Sequence, residues 1–343
     1  MSTAQSILII HIGSISETVL SIPALRSLRK HLPQARLTVA ASRPGSEIIR
    51  LSESADEILT FTRLERELFL PQRLIGNVQQ YRALRQRMFD TAVVLQSNLE
   101  SSWLTRSIHA NDFIGSTKQA RRKVGALDKL KQMVLPPQMP LHLAQDYLKR
   151  LEPLGVRPLE TEPRLQTSHS ANERFEKFLK KRHIELGELM IGIHAGMGRG
   201  KERWPMERFA SVASRMIHNF DARVLVFAGP HERGLARSIV KKVGGKKIIA
   251  MESQRLEDVV SAAARLSLLV ANHSGLAHIA SAVGAAVVTA TGAMIPKTRD
   301  LLSRNHVHVR ATSVSSVGEE EVFDAACRLL KRNRSSAFSS FSS

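Results

Sequence analysis

Residues 190–205, MIGIHAGMGRGKERWP, decide the architecture. MIGIH at 190–194 reads as a buried parallel strand, because strands covered on both faces are near-continuous apolar runs. It enters a glycine-rich loop, Gly196-Met197-Gly198-Arg199-Gly200. A helix is expected from Pro205 to His218, proline being suited to a helix's first position, where no amide donor is needed. The alternation continues downstream: strand 223–228 (RVLVFA) ending at Gly229-Pro230, helix 231–243, strand 247–250, helix 256–264, strand 268–271, helix 275–283 and strand 286–291.

The same pattern stands upstream. ILIIHI at 7–12 is an apolar run followed by a short loop, Gly13 to Ser16. Val19, Leu20, Ile22, Leu25 and Leu28 then recur at helical spacing, with Pro23 among the first turns. Strands are expected at 36–41, 58–61 and 91–96, with a helix starting at 46–51 and helical chain through 72–88. Strands alternating with helices imply parallel sheets with right-handed crossovers. The chain is therefore α/β, with two Rossmann-like domains facing a central cleft, the usual ligand position in such sheets. Between them, 155–172 is rich in Pro, Ser, Thr and Glu and reads as the linker. The expected division is 1–160, 173–312, a C-terminal helix at 313–334, and a disordered serine-rich tail at 335–343.

Composition bounds the chemistry. The 343 residues carry 50 Lys+Arg against 31 Asp+Glu, a formal charge of +19, so phosphates, an anionic membrane surface or nucleic acid are the candidate partners. Hydrophobic residues make up 43%, enough for packed cores and too many for a disordered chain. A single cysteine, Cys327, excludes an internal disulfide framework and a cysteine cage for zinc or iron–sulfur. The N-terminus lacks the basic and long apolar regions of a signal peptide, so a cytoplasmic location is expected. From Leu266 to Pro296 no charged residue occurs, a length able to cross a bilayer. Polar interruptions at 272–278 and 289–292 favour a buried strand, helix and strand instead.

Several motifs are missing. Gly13 stands alone, so the dinucleotide fingerprint is absent. A P-loop would need glycine at Ala195 and Ser or Thr at Glu202. No HExxH occurs, and no metal site or cofactor is expected. His306 and His308 lie on an expected strand and read as solvent-facing.

The positive signals sit on loops. Gly196 to Arg203 combines flexible backbone with Arg199, Lys201 and Arg203, which suits a diphosphate at a helix N-terminus, or else is a glycine-rich turn on a basic surface. In Asn272-His273-Ser274-Gly275-Leu276-Ala277-His278, the small Ser274-Gly275 pair lets a phosphate approach a helix N-terminus, and Ser274 also suits an N-cap. Glu17, just past the first strand, reads either as a general base or as a favourable charge in a helix's first turn. Trp204 fits either stacking on a nucleotide or anchoring a core before Pro205.

Six segments together resemble glycosyltransferase family 9, the ADP-heptose:lipopolysaccharide heptosyltransferases of GT-B fold. They are ILIIHIGSISETVLSIPALRSLRKHLPQARLTVAA (7–41), FIGSTKQARR (113–122), HLAQDYLKRLEPLGV (142–156), IGIHAGMGRGKERWPMERFA (191–210), VLVFAGPHERGLA (224–236) and VANHSGLAHIASAVGAAVVTATG (270–292). The resemblance implies an inverting, metal-independent transfer of heptose or a related sugar from a nucleotide-sugar donor such as ADP-heptose. The implied acceptor is a lipid-linked Kdo/core oligosaccharide of lipopolysaccharide, and the implied location is cytoplasmic, peripherally associated with the anionic inner-membrane surface. Glu17 becomes the implied catalytic base. His194, Gly196, Met197, Lys201, Arg203, Glu232, His273, Ser274, Gly275 and His278 become implied donor-binding residues, and Ser14, Lys118, Arg121 and Arg122 implied acceptor-binding residues.

Departures from the family pattern are specific. Gly-Asp of the first loop is Ser16-Glu17, Lys-x-Trp-Pro becomes Lys201-Glu202-Arg203-Trp204-Pro205, and Asp-Ser/Thr-Gly is His273-Ser274-Gly275. These leave open a catalytically impaired relative that binds nucleotide-sugar or acceptor without transfer. A nucleotide-sugar epimerase shares the architecture and would release free sugar without an acceptor. Nucleic-acid binding is disfavoured, since aromatics are 5%, the basic residues are dispersed and no recognised motif appears.

Overall fold

The computed structural model describes residues 5–62, 71–96, 98–115, 141–185, 187–196, 203–252 and 254–339, apart from the side chains of 71–77, 99 and 333–339. The chain divides into two compact units, Met1–Pro163 and Arg164–Ser343.

In the first unit, β1 (Ser6–His11), β2 (Arg36–Ser42), β3 (Glu57–Phe61), β4 (Met88–Val94) and β5 (His109–Ile114) form one sheet in the order β3-β2-β1-β4-β5. All pairings are parallel, with Ile7 of β1 facing Leu37 on one side and Thr91 on the other. Helices α1 (Ile15–His31), α2 (Arg43–Ser52), α3 (Pro71–Arg85) and α4 (Leu99–Thr105) make the crossovers. Ile7 to Ile10 are completely buried, as a central strand with helices on both faces requires. The unit closes with α5 (Leu143–Leu151), which packs on α1. Glu160 pairs with Arg26 and Lys30 of α1, and these cations hold its carboxyl below the usual range despite partial burial.

In the second unit, α6 (His169–Lys181) precedes β6 (Met190–His194), α7 (Met206–Phe220), β7 (Arg223–Ala228), α8 (Leu235–Val243), β8 (Ile248–Glu252), α9 (Leu256–Ala264), β9 (Leu268–Asn272), α10 (Gly275–Ala282), β10 (Ala286–Gly292), β11 (His306–Ala311) and α11 (Glu319–Ser339). The sheet order is β11-β10-β9-β6-β7-β8, again all parallel. The uncharged stretch 266–296 is thus β9, α10 and β10, and among the described residues no helix is long and apolar enough to cross a membrane.

Two expectations from sequence change. Helix α6 begins at His169, inside the segment read as linker, because Ser168 caps it by accepting from the Ala171 amide and Phe175 and Leu179 give it a buried stripe. Helix α11 continues to Ser339, into the stretch read as a disordered tail. Val322, Phe323, Ala326, Leu329 and Leu330 bury its first part in the core. Once such a segment is docked, each further residue needs only helix propagation and not a new nucleus.

Both sheets reverse direction beside their first strand. The chain builds outward from β1 to β3 and returns to β4, and likewise from β6 to β8 and back to β9. The carboxyl ends of β1 and β4, and of β6 and β9, are therefore topological switch points, where open parallel sheets bind ligands.

Candidate functional site

At the first switch point, β1 ends at His11 and the chain turns through Ile12 and Gly13 into α1. Ser14 is the N-cap, and Glu17, three residues on, completes a capping box. Glu17 Oε2 accepts from the Ser14 amide at 2.9 Å and from the Ser14 hydroxyl at 2.8 Å. The carboxylate is held rigidly and is only 8% exposed. Gly13 leaves no room for a side chain: a Cβ there would lie 2.4 Å from Gln96 Oε1 and 3.1 Å from His11 Nε2. Ser42 Oγ donates to the Gly13 carbonyl at 2.6 Å, and Asn98 Nδ2 to the Ile12 carbonyl at 2.7 Å. Two neighbouring strand ends thereby hold the loop.

His11 is a residue that sequence reasoning passed over. Its imidazole is fully buried, edge-on to Tyr147 at 5.4 Å, and neither ring nitrogen has a hydrogen bond among the described residues. Burial lowers its pKa to about 4, with Glu17 pulling the other way. The signal in the sequence was a histidine inside the otherwise aliphatic ILIIHI.

At the second switch point three strand ends converge. His194, last in β6, approaches Ser274 Oγ with Nδ1 at 2.9 Å and Glu232 Oε2 with Nε2 at 3.3 Å. Glu232 Oε2 also accepts from the Gly229 amide at 2.9 Å. Since the Glu232 carboxylate only accepts, the Nε2–H of His194 donates to it, while Ser274 Oγ meets Nδ1 and also accepts from the Ala277 amide. Ser274 is therefore both the N-cap of α10 and a brace for His194. Gly196 lets the Glu232 carboxylate lie where it does: a Cβ would stand 2.0 Å from it, so any other residue would displace that carboxylate.

Asn272, at the end of β9, is 1% exposed and clamps the ends of the glycine loop. Its Nδ2 donates to the Ala195 and Gly196 carbonyls at 2.9 and 3.2 Å, and its Oδ1 accepts from the Trp204 amide at 2.9 Å. Trp204 is a core anchor: it is 1% exposed, lies edge-on to Phe209 and donates Nε1–H to the Val317 carbonyl at 2.9 Å.

His273 faces the other way. Its Nε2 meets the Arg299 carbonyl at 3.0 Å, and its ring lies 5.2 Å from that of His278 and 6.1 Å from that of His308. Burial lowers its pKa, so it is neutral at pH 7. His308 is not solvent-facing as its alternation suggested. Its Nδ1 bonds Thr289 Oγ1 at 2.5 Å, Asp300 stands 3.7 Å from its Nε2, and burial takes its pKa to about 4. The edge strand β11 is covered on that face by the 293–305 loop, whose Asp300 also pairs with Arg310 at 2.5 Å. Among the described residues no group of three or more His, Cys, Asp or Glu could hold a metal ion.

The model of glycosyltransferase family 9 (heptosyltransferase) matches residues 78–326, which contain the whole second switch point. The chain belongs to glycosyltransferase family 9. Solved structures of similar fold include the family 9 glycosyltransferase from Veillonella parvula DSM 2008, at TM-score 0.81 and 20% identity over 97% of this chain and 99% of that one. E. coli ADP-heptose LPS heptosyltransferase II matches at TM-score 0.72 and 18% identity, over 96% of this chain and 100% of that one. The E. coli heptosyltransferase WaaC with ADP matches at 0.71 and 17%, over 93% and 98%. The two parallel-sheet units are those of the GT-B fold. No curated protein sequence matches this chain.

Within this family 9 chain, the structure brings His194, Gly196, Glu232, Ser274, Gly275 and His278 to the ends of adjoining strands, with His273 beside them and Arg203 next to the clamped Trp204. Glu17 and Ser14 share one cap in the first unit. Met197, Lys201, Lys118, Arg121 and Arg122 lie outside the described residues.

Proposed function

We propose that this family 9 protein is an active inverting glycosyltransferase that moves a heptose, or a closely related sugar, from a nucleoside-diphosphate donor to the lipopolysaccharide inner core. ADP-heptose is the favoured donor, because structures of similar fold hold ADP and ADP-2-deoxy-2-fluoro heptose. The acceptor is a lipid-linked Kdo/core oligosaccharide, which puts the protein to work at the cytoplasmic face of the inner membrane.

One observation carries the reading. At the β6/β9 switch point, the N-terminus of α10 is capped by Ser274, whose hydroxyl also meets His194 Nδ1 at 2.9 Å. The first-turn amides of Gly275 and Leu276, which have no intrahelical acceptor, are left for an anion. No carboxylate occupies that first turn, and His273 is neutral where the family pattern has an acid. A donor diphosphate would gain from the helix dipole, with Lys201 and Arg203 supplying charge from the preceding loop. In the proposed reaction Glu17 takes the proton of the acceptor hydroxyl. The acceptor oxygen forms a bond to the anomeric carbon as the bond to the diphosphate oxygen breaks, inverting that centre and releasing the nucleoside diphosphate. The amides and cations stabilise the charge growing on the leaving group.

The experiment is release of ADP from ADP-heptose, dependent on a lipid A–Kdo acceptor, with Glu17→Gln alongside. Acceptor-dependent release that the substitution abolishes supports the mechanism. Tight nucleotide binding without transfer by any donor would make the chain a binding relative, the reading that the His273 and Ser16-Glu17 departures favour.

A further inference from the structure

One face of the first unit combines apolar exposure, stacked aromatics and unneutralised arginines. Val78, Tyr81, Arg82 and Arg85 recur at i, i+3, i+4 and i+7 along α3, so they form one stripe. Tyr81 stacks on Trp103 of α4, their rings 4.4 Å apart, and Trp103 is 48% exposed although its chemistry favours burial. Arg106 follows one turn after Trp103 and shares a shallow depression with Met88, which is 67% exposed. Helices α3 and α4 both follow crossovers toward β5, and Leu84 and Leu104 enter the same core cluster, so the two helices cover one face of the sheet.

The exposed charges that α3 and the end of α4 carry on this face are all positive. No carboxylate occurs between Glu67 and Asp90, nor between Glu100 and Asp112. Among the described residues no ion pair engages Arg82, Arg85 or Arg106, whereas Arg87 is taken up by Glu57. Such a surface suits a planar, negatively charged, apolar-beneath-polar partner. Tyr and Trp rings prefer the headgroup level, where one end is wet and the other apolar, and arginines keep their stems in apolar surroundings while reaching phosphates.

We propose that this α3/α4 face is the surface by which the protein docks on an anionic phospholipid bilayer, with Trp103 and Tyr81 at headgroup depth and Arg82, Arg85 and Arg106 on lipid phosphates. A second copy of the chain fits less well, because a two-fold contact would set the same arginines against each other in a protein of charge +19. A nucleic-acid partner would leave Val78 and Met88 unused. The proposal deepens the reading of a lipid-borne acceptor, and docking is measurable without any turnover.

Trp103 and Trp204 are the two tryptophans, and Trp204 is buried, so quenching by groups in the lipid reports on Trp103. The full chain is mixed with vesicles of phosphatidylcholine alone or with phosphatidylglycerol, with and without bromine-labelled acyl chains. Expected are co-sedimentation with the anionic vesicles only, a blue shift and bromine quenching of Trp103 emission, and loss of binding at high salt. The triple substitution Arg82→Glu, Arg85→Glu, Arg106→Glu should lower partitioning about tenfold or more, given the pull of an anionic surface on each basic residue. Trp103→Ser should lower it several-fold.

Reversal of Lys180, Lys181 and Lys241, which are not part of the proposed face, should leave binding within about twofold, since the pull of an anionic surface acts on the basic residues held against it. Equal losses from both triples would overturn the proposal in favour of diffuse attraction. Anionic binding without Trp103 quenching would overturn it too, as would a dimer that Trp103→Ser dissolves or RNA binding that the arginine triple removes. A deacylated, water-soluble acceptor should be used equally well by wild type and patch variants. If no chain transfers sugar to it, the transferase reading fails while the vesicle result still decides the surface.

Discussion

The two switch points use one device to opposite electrostatic ends. In each, a strand ends, a serine caps a helix, and its hydroxyl meets the amide three residues on: Ser14 with Glu17, Ser274 with Ala277. In the first unit that third residue is an acid whose side chain returns to the cap, so a carboxylate sits on the helix's positive end. In the second it is alanine, and the serine turns outward to His194, leaving that end positive. A fixed anion suits the withdrawal of a proton, and an unfilled positive end suits a diphosphate. In the proposed reaction these are the roles of the two caps, and the residue at the third helical position is what distinguishes them.

The sharpest way to break this contrast is Glu17→Gln. Glutamine keeps a capping box, since its side-chain oxygen can take the same bonds, but it cannot accept a proton as a base. Turnover should fall by about 10²- to 10⁴-fold with the melting temperature unchanged. Loss of stability with activity retained would assign Glu17 to the cap alone. Glu17→Ala should lose both, adding about 1 kcal/mol of destabilisation in chemical unfolding.

His11 gives the next largest effect, and it bears on the first unit only. The folded protein refuses a proton there until about pH 4, while the unfolded chain accepts one near pH 6.5. This stability is fully present above pH 6.5 and drains away as pH falls toward 4. The window is worth about 3 kcal/mol at roughly 1.4 kcal/mol per pH unit. His11→Gln should flatten the acid limb of an unfolding-free-energy profile by about that amount. An unchanged slope would mean that His11 is not buried neutral.

On the second unit, Gly196→Ala drives a methyl group into the Glu232 carboxylate. Calorimetry with ADP should show about tenfold weaker binding, as expected when overpacking shifts a braced pair by about 1–3 kcal/mol. The smallest effect sharpens the comparison of caps. Ser14→Ala and Ser274→Ala should each lose about 1 kcal/mol of stability, but Ser274→Ala alone should weaken ADP binding.

How far the sequence carried differs between the units for a physical reason. Strands β6 and β7 and helix α9 were readable to the residue, because aliphatic strands buried on both faces are bounded by glycine, proline and charge. Strand β5, HANDFI, escaped: as the sheet's edge it carries His109, Asn111 and Asp112 and has no apolar run. Within the site, the loops and their acid, serine and histidine residues were visible as departures from apolar pattern. The roles of Asn272 and His308 were not: Asn272 depends on Trp204, 68 residues away, and His308 on Asp300 in the irregular 293–305 loop and on Thr289 of the neighbouring strand, contacts that no periodicity announces.

Asn272 has a further consequence for ligand thermodynamics. By joining the carbonyls of Ala195 and Gly196 to the amide of Trp204, one side chain closes residues 196–204 into a ring before any donor arrives. The entropy of bringing those ends together is thereby settled in the free protein and does not recur on binding. Altered loop chemistry inside the ring should therefore register in donor affinity nearly at full value, while altered loop length should matter little as long as the amide of Asn272 still spans the gap.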